Sequence, residues 1–267
     1  CAGAEGISGM INVISREDGS GTRGAFVELT GIEVKDEDGN KIDMTTVEAV
    51  IANSTSIVTT SVAGDERAIG YISLGSLNDT VKGLHIDGVE PTAENVMAGT
   101  YAIARPFIIV LSEGAGEIAD DFVTFILSAE GQAIVNDNGY IASVTDAQAY
   151  APGTVSGKLT VGGSSSVTPV MEKLAEAYEA IHADTDIEVQ QSDSTTGANG
   201  AIEGTYGIGM VSRNLKDTEL EKLTPVVIAM DGIVVIVNND NPISDMTSEA
   251  VRQIFTGEIT DWSEVAE

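Results

Sequence analysis

The chain has 267 residues, of which 42% are hydrophobic, and a formal net charge of -29 at pH 7. This length exceeds what a single core usually supports and predicts two lobes, and the excess of acidic residues argues against nucleic acid as a partner. No apolar run approaches the ~20 residues that a membrane helix needs.

The first predicted element is an apolar strand from Ile11 to Ile14, which leads into a glycine-rich loop. The loop Arg16-Glu17-Asp18-Gly19-Ser20-Gly21-Thr22 combines a fixed positive charge, two hydroxyl groups and glycines at a helix start. Glycines let backbone N–H groups approach an anion, and a helix N-terminus adds partial positive charge. The loop therefore indicates an anion site, although ordinary domains also contain strand–turn–helix corners of this kind.

Further elements are predicted along the rest of the chain: a strand at 105–110, helices at 122–135, 168–181 and 247–255, and an apolar strand at 225–237. Pro169 suits the first turn of its helix, and Gly257 ends the last one. Asp231-Gly232 is expected to break the apolar strand where the chain crosses between lobes. Strands and helices in alternation indicate an α/β fold whose helices cover mostly parallel sheets.

Two later loops also place hydroxyl groups at a helix start. The run Gly162-Gly163-Ser164-Ser165-Ser166-Val167-Thr168-Pro169 follows one predicted strand, and Gln191-Ser192-Asp193-Ser194-Thr195-Thr196-Gly197 follows another. Three loops of this kind in one pair of lobes indicate convergence on a single anion.

These motifs resemble the phosphate-binding proteins of bacterial phosphate ABC transporters, and the resemblance covers nearly the whole chain. The stretches that carry it are GGSSSVTPVMEKLAEAY, QSDSTTGANGAIEGTYGIGMVSRNL, IFTGEITDWSEV, INVISREDGSGTRGAF and GYISLGSL. The resemblance implies a two-lobed periplasmic-binding-protein fold of type II, with mixed sheets flanked by helices and a ligand cleft between the lobes. It also implies high-affinity binding of inorganic phosphate by hinge closure, without catalysis or a cofactor.

The resemblance further implies membrane subunits of a phosphate ABC importer as partners, an extracytoplasmic location in the periplasm or as a cell-surface lipoprotein, and a monomer. Cys1 is the single cysteine, so no intramolecular disulfide is expected. It fits a lipid attachment point, a dye attachment point in a biosensor, or a residue without a role, and we expect it to take no part in binding. A signal peptide is absent from the start of the chain, so we expect that it was removed or left out.

The order of the motifs differs from that of the family. There the GGSSSVTP segment lies near the mature N-terminus and DWSEV runs on into INVISRED, whereas here GGSSSVTP starts at Gly162 and DWSEV lies at the end of the chain. The chain therefore resembles a circular permutant, engineered or natural, or a fragment cut across a tandem duplication. In a permutant the usual termini would be joined near 146–157. Lobe one would then be 105–229, and lobe two would be 1–104 plus 231–267.

Motif by motif, the resemblance assigns the phosphate contacts to Arg16, Ser20, Gly21, Thr22, Ser166, Val167, Ser194 and Ser212. Asp18 is expected to hold Arg16 through a carboxylate–guanidinium pair or to form the turn. Ser212 stands where the family has an aspartate that accepts the proton of monohydrogen phosphate. Discrimination against sulfate should then depend on another acceptor, such as Asp193, or be weaker. Arg213 is expected either to add a second positive contact or to lie at the surface.

Catalysis is not expected, because a serine nucleophile needs a base and the two histidines, His85 and His182, lie outside catalytic-looking segments. His182 is expected to interact with the C-terminal dipole of its helix. No cluster has the spacing of a metal site, and no phosphate-binding loop of the nucleotide type is present. A general receptor for tetrahedral oxyanions such as sulfate is the alternative function, followed by a phosphatase.

Overall fold

A computed structural model describes residues 6–265, and in it the chain forms two compact units. Unit 1 comprises Cys1–Asp18, Thr22–Ala104 and Gly232–Glu267, and unit 2 comprises Gly19–Gly21 and Arg105–Asp231. The loop segment Gly19–Gly21 thus belongs to unit 2, whereas the predicted lobe boundaries had counted it with residues 1–104. The prediction for Cys1 concerns a residue outside the described range.

The strands are β1 (Asn12–Arg16), β2 (Glu33–Lys35), β3 (Lys41–Asp43), β4 (Val50–Ala52), β5 (Ala68–Ser73), β6 (Lys82–Gly83), β7 (His85–Ile86), β8 (Ala104–Leu111), β9 (Ile141–Ala142), β10 (Gly157–Ser164), β11 (Thr185–Ser192), β12 (Ile208–Val211), β13 (Pro225–Val237) and β14 (Asp245–Met246). The helices are α1 (Gly21–Leu29), α2 (Thr55–Ala63), α3 (Ala93–Met97), α4 (Glu117–Ile126), α5 (Ala129–Asp137), α6 (Thr168–Ile181), α7 (Ser194–Glu203), α8 (Asp217–Leu220) and α9 (Ser248–Thr256). In the described range, none of the helices combines the length and the apolar character that crossing a membrane requires.

Unit 1 contains a mixed sheet covered by helices on both faces. The C-terminal half of β13 runs antiparallel to β5, whereas β1 lies parallel to both β5 and β4. Val58 and Val62 of α2 pack into the core on one face. On the other face Phe26 of α1 stacks on Tyr71 of β5, with ring centroids 4.0 Å apart, and Phe255 of α9 meets Phe26 edge-on.

Unit 2 is a second mixed sheet with helices on both faces. β11, β10 and β12 are parallel neighbours, β8 runs antiparallel to β12, and β9 pairs with the N-terminal half of β13. Helices α4 to α6 cover one face, where Phe122 and Leu174 are fully buried. Helix α7 covers the other face and packs Ala198 and Ala201 into a core with Val110 of β8. Both units therefore have the mixed sheets and flanking helices that the sequence predicts.

The prediction of one helix at 122–135 was wrong, because the chain forms α4 and α5 with a cap between them. The Ser128 hydroxyl donates to the Phe125 carbonyl at 2.6 Å and accepts from the Gly131 N–H at 3.2 Å. A Cβ at Gly131 would lie 2.2 Å from the Phe125 carbonyl oxygen, so this turn needs a glycine. The helices predicted at 168–181 and 247–255 are confirmed as α6 and, displaced by one residue, α9.

The expected break at Asp231-Gly232 does not occur, and β13 continues through it. Its pairing partner is β9 before this point and β5 after it, so the strand keeps backbone partners on both sides. The chain passes from unit 2 to unit 1 between these two residues. The side chain of Asp231 is buried and accepts a hydrogen bond from Arg105 at 3.1 Å, which explains why a charged residue is tolerated within an apolar strand.

A buried cluster of polar side chains in unit 2 holds the segment around Tyr150 by hydrogen bonds. The hydroxyl groups of Tyr150 and Tyr178 both donate to Asp121, and Tyr150 also lies 2.7 Å from Nε2 of His182. Burial raises the pKa of Tyr150, and the hydrogen bond to Asp121 raises it further. His182 does follow the last residue of α6, as predicted, but its ring is held by this cluster.

Candidate functional site

Three serine hydroxyl groups, which we call the serine cluster, meet at one edge of the unit 2 sheet. Ser164 ends β10, Ser212 follows β12 and Ser194 begins α7. Ser164 Oγ donates to Ser212 Oγ at 2.8 Å, and Ser194 Oγ lies 3.3 Å from Ser212 Oγ. The two strands bring their ends together because they are parallel neighbours, whose carboxyl ends lie at the same sheet edge.

The Gly19–Gly21 segment lies against the serine cluster. The Gly19 carbonyl accepts from the Thr195 N–H at 3.2 Å. A Cβ at Gly21 would lie 2.2 Å from Ser194 Oγ and 2.7 Å from Ser212 Oγ, closer than real Cβ contacts come. Glycine is therefore required at position 21, and the structure brings Gly21, Ser194 and Ser212 together, as the motifs suggested.

The turn before α6 adds two more of the predicted residues. The Ser166 N–H donates to Ser164 Oγ at 3.3 Å, and the Val167 N–H donates to the Ser164 carbonyl at 3.1 Å. The Val167 side chain is fully buried in the apolar core of unit 2. Val167 therefore shapes the turn, whereas Ser166 adds a buried hydroxyl group beside the cluster.

Three glycines, two in the serine-containing loops and one in β12, allow close packing of α7 on the sheet. A Cβ at Gly163 would lie 2.3 Å from the Met210 carbonyl oxygen, and Gly163 has a φ of +140°. A Cβ at Gly197 would lie 2.6 Å from the same oxygen, and one at Gly209 would lie 2.3 Å from the Gly197 carbonyl oxygen. These glycines let α7 approach β10 and β12, which carries Ser194 to the strand ends.

In unit 1, Arg16 lies at the end of β1 with its side chain 2% exposed. Its Nε donates to Glu17 Oε2 at 2.8 Å and its Nη2 to Glu17 Oε1 at 2.7 Å, and Nη1 lies 3.5 Å from Thr55 Oγ1. Sequence reasoning missed both partners. The signal for Thr55 was present, since Asn53-Ser54-Thr55 follows β4 and starts α2, which is the same strand–hydroxyl–helix pattern as the other loops.

The prediction that Asp18 holds Arg16 was wrong. Asp18 is 98% exposed and accepts instead from Arg23 Nη1 at 2.9 Å. Its short side chain points to solvent from the turn, whereas the longer Glu17 side chain offers two oxygens to the guanidinium group in a bidentate pair. Arg23 Nη1 also donates to the Arg16 carbonyl at 2.8 Å, so Asp18 acts on the loop through Arg23.

The predicted site residues fall into two sets, one in each unit. Unit 2 contains Ser20, Gly21, Ser166, Val167, Ser194 and Ser212, and unit 1 contains Arg16, Asp18 and Thr22. Ser20 and Thr22 are both buried, with 3% and 1% exposure. Hydroxyl groups and a guanidinium group are hydrogen-bond donors suited to an oxyanion.

Asp193 and Arg213, which the sequence suggested as further ligand contacts, form hydrogen bonds with other groups of unit 2. Asp193 caps α7, accepting from the Thr196 N–H at 2.9 Å and from its hydroxyl at 2.7 Å. Arg213 is neither an exposed surface residue nor an unpaired cation, because it is 9% exposed and its two Nη atoms donate to Glu219 at 2.8 and 2.9 Å. Its charge is therefore compensated within unit 2.

Replacing Glu219 with glutamine should lower stability at pH 7, with a loss that shrinks on acidification. Burial acts to raise the pKa of Glu219, but hydrogen bonds from Arg213 and the Lys216 N–H outweigh it and hold that pKa below its ordinary value. A depressed folded-state pKa gives stability that is complete above the ordinary pKa of ~4.3 and is lost as pH falls through the folded value.

Urea denaturation of the parent and the Glu219→Gln variant at neutral and acidic pH measures this difference. Exposed Glu221→Gln is the matched control and should leave the urea midpoint within error of the parent at each pH. A gap between the parent and Glu219→Gln that stays constant down to pH ~3 would contradict the argument.

The serine cluster has the chemistry of a donor site rather than of a nucleophile with its base. Its members bond to one another and to backbone groups, and His182 lies in the separate Tyr150 cluster. Among residues 6–265, no group of three or more His, Cys, Asp or Glu side chains is arranged to hold a metal ion.

The sequence is similar to known proteins over nearly its whole length. A family model described as a PBP superfamily domain matches residues 5–130 and 148–267. The chain is 52% identical over 260 residues to phosphate-binding protein PstS 2 of Streptococcus agalactiae serotype V, covering 97% of this chain and 88% of the relative. It is 47% identical over 264 residues to phosphate-binding protein PstS 2 of Streptococcus pneumoniae serotype 4, covering 99% and 90%.

A solved structure is similar to this chain over nearly its whole length. It is the crystal structure of a phosphate ABC transporter, phosphate-binding protein from Streptococcus pneumoniae TIGR4, with a TM-score of 0.76 and 47% identity. The match covers 97% of this chain and 100% of that one.

Proposed function

We propose that this chain, which belongs to the PBP superfamily and within it to the phosphate-binding proteins of ABC transporters, binds inorganic phosphate. It does so without catalysis, as the extracytoplasmic substrate-binding component of a phosphate importer, and its protein partners are the membrane subunits of that importer. The observation that carries the proposal is the convergence of the Ser164, Ser194 and Ser212 hydroxyl groups, with Gly21 lying against Ser194 and Ser212.

In this proposal residues from both sets contact the phosphate. Unit 2 supplies hydroxyl and backbone donors from Ser20, Gly21, Ser166, Ser194 and Ser212. Unit 1 supplies the guanidinium group of Arg16 and the hydroxyl group of Thr22. Binding in an interlobe cleft with hinge closure, the monomeric state and the permuted order of the motifs stay predictions.

The energetics support micromolar or tighter binding. A hydrogen bond to a charged group contributes about 1.5 to 3 kcal/mol, so several together exceed the ~8 kcal/mol of micromolar affinity after ordering costs. The net charge of -29 does not oppose an anionic ligand strongly, because charges beyond the ~8 Å Debye length are screened at physiological salt.

A general receptor for tetrahedral oxyanions is the second candidate function. Its supporting observation is Ser212, a hydroxyl in place of a carboxylate, which can donate to sulfate as readily as to phosphate. Asp193, the alternative proton acceptor considered from the sequence, is engaged in capping α7.

Isothermal titration of exhaustively phosphate-stripped protein tests the proposal. We expect one-to-one binding of phosphate with micromolar or tighter affinity, and no turnover of a chromogenic phosphate ester by the same sample. Sulfate titrated in the same buffer distinguishes the two candidates, since comparable affinities would favour the general receptor. If neither phosphate nor sulfate gives a heat of binding, both candidate functions are contradicted.

A further inference from the structure

The hydrogen bonds of the serine cluster have a fixed direction. They begin at the Ser166 N–H, which can only donate and does so to Ser164 Oγ at 3.3 Å. Ser164 Oγ in turn donates its proton to Ser212 Oγ at 2.8 Å. Ser164 Oγ therefore accepts one hydrogen bond and donates one, and one of the two acceptor positions of the Ser212 hydroxyl is occupied.

The Ser194 hydroxyl is directed in the same way. It accepts from the Ser212 N–H at 3.0 Å, and its oxygen lies 3.3 Å from Ser212 Oγ. That contact uses at most one of the two hydroxyl protons of Ser194 and Ser212. At least one proton thus remains to be donated outside the cluster, on the side where Gly21 approaches both oxygens.

We propose that Ser164 is a positioning residue that fixes the Ser212 hydroxyl as a donor to a bound oxyanion. This inference rests on the proposed function. One acceptor position of the Ser212 hydroxyl is then taken by Ser164 and the other by the Ser194 hydroxyl, so Ser212 stabilises deprotonated oxygens and does not accept the ligand proton. The serine cluster therefore favours the dianions of tetrahedral oxyacids, both monohydrogen phosphate and sulfate, over the monoanion of phosphate.

The charged groups packed near the cluster leave this direction unchanged. Arg105 on β8 donates to the Ser212 carbonyl at 3.1 Å and to Asp231 on β13 at 3.1 Å. Asp193 caps α7, and Arg213 beside Ser212 pairs with Glu219. These nearby carboxylates thus have donors of their own in unit 2.

The inference predicts how phosphate affinity depends on pH. Between about pH 6 and pH 8 phosphate passes from mostly monoanion to mostly dianion, whereas sulfate stays a dianion. Phosphate affinity of the parent should therefore rise across this interval, and sulfate affinity should stay level. Removing the Ser164 hydroxyl returns an acceptor position to Ser212, which then accepts a proton from phosphate but finds none on sulfate.

Titrations with phosphate and sulfate at both pH values, on the parent and on Ser164→Ala, test this. We expect Ser164→Ala to raise the phosphate-to-sulfate affinity ratio about fivefold, as one hydrogen bond of ~1 kcal/mol allows. Its phosphate affinity should rise less with pH than that of the parent. Ser164→Gly also lacks the hydroxyl and serves if the alanine variant does not fold.

Two further variants separate positioning from loss of packing. Ser164→Thr keeps a hydroxyl and should restore the parent ratio and pH profile. Ser128→Ala removes a buried hydroxyl elsewhere in unit 2 and should leave both unchanged. A parent-like ratio and pH profile in Ser164→Ala, or the same shift in Ser128→Ala, would overturn the inference while phosphate binding stands. A parent that binds neither anion would instead contradict the proposed function.

Discussion

Replacing Arg16 with alanine should weaken phosphate binding at least ~100-fold and leave the protein folded. Arg16 is the cation among the proposed ligand contacts, and two lost hydrogen bonds to a charged ligand correspond to about 3 kcal/mol or more. The remaining Glu17 carboxylate would also repel the anion. Because Glu17 is 21% exposed, water can solvate it after the substitution, so we expect the fold to survive.

Calorimetric titration measures the effect, with circular dichroism as the check on folding. Arg252→Ala is the matched control, because it removes one positive charge from an exposed pair with Glu249 and Glu258 on unit 1. It should bind phosphate like the parent. The double variant Arg16→Ala/Glu17→Ala separates loss of the cation from exposure of the carboxylate, and parent-like affinity in Arg16→Ala would remove Arg16 from the site.

Gly21→Ala should also weaken phosphate binding, by a comparable factor of ~100, through a different cause. The new Cβ would fall 2.2 Å from Ser194 Oγ and 2.7 Å from Ser212 Oγ, so both hydroxyl groups or the loop must move. Overpacking of this kind costs about 1 to 3 kcal/mol of stability. A shift of ~1 Å in donor positions is enough to lose about 100-fold in function that depends on geometry.

Gly64→Ala is the matched glycine control. Gly64 ends α2 with a φ of -88°, and a Cβ there would meet its nearest atom at 3.4 Å, an ordinary contact. Thermal denaturation and phosphate titration of both variants should show a loss of stability and of binding for Gly21→Ala only. If Gly21→Ala binds phosphate as tightly as the parent, the serine cluster does not line the site.

Much of the site could be predicted because its signals are local. A strand followed by glycine, hydroxyl residues and a helix start identified the loops that contain Ser166, Ser194 and Gly21. Each of these positions depends on backbone geometry within a few residues. The partner of Arg16 could not be predicted in this way, because Glu17 and Asp18 both carry a carboxylate close to it in the sequence. Side-chain length and burial decide that Glu17 forms the pair.

The division of residues 122–135 into two helices shows the same limit. An apolar pattern continues across the junction, so periodicity predicts a single helix. The observed break depends on the Ser128 cap and on the contact of Gly131 with the Phe125 carbonyl. Both are contacts of the helix junction, which hydrophobic periodicity does not register.

The sequence by itself determined the alternation of strands and helices, the fold class and the loops that supply donors, because hydrophobic periodicity and turn chemistry are short-range properties. Tertiary structure decided which side chains pair and which way their hydrogen bonds run. Arg105 pairs with Asp231 across 126 residues of chain, and Ser164 directs Ser212 across 48. Such choices depend on the register of neighbouring strands and on burial, which bring together residues that no local pattern connects.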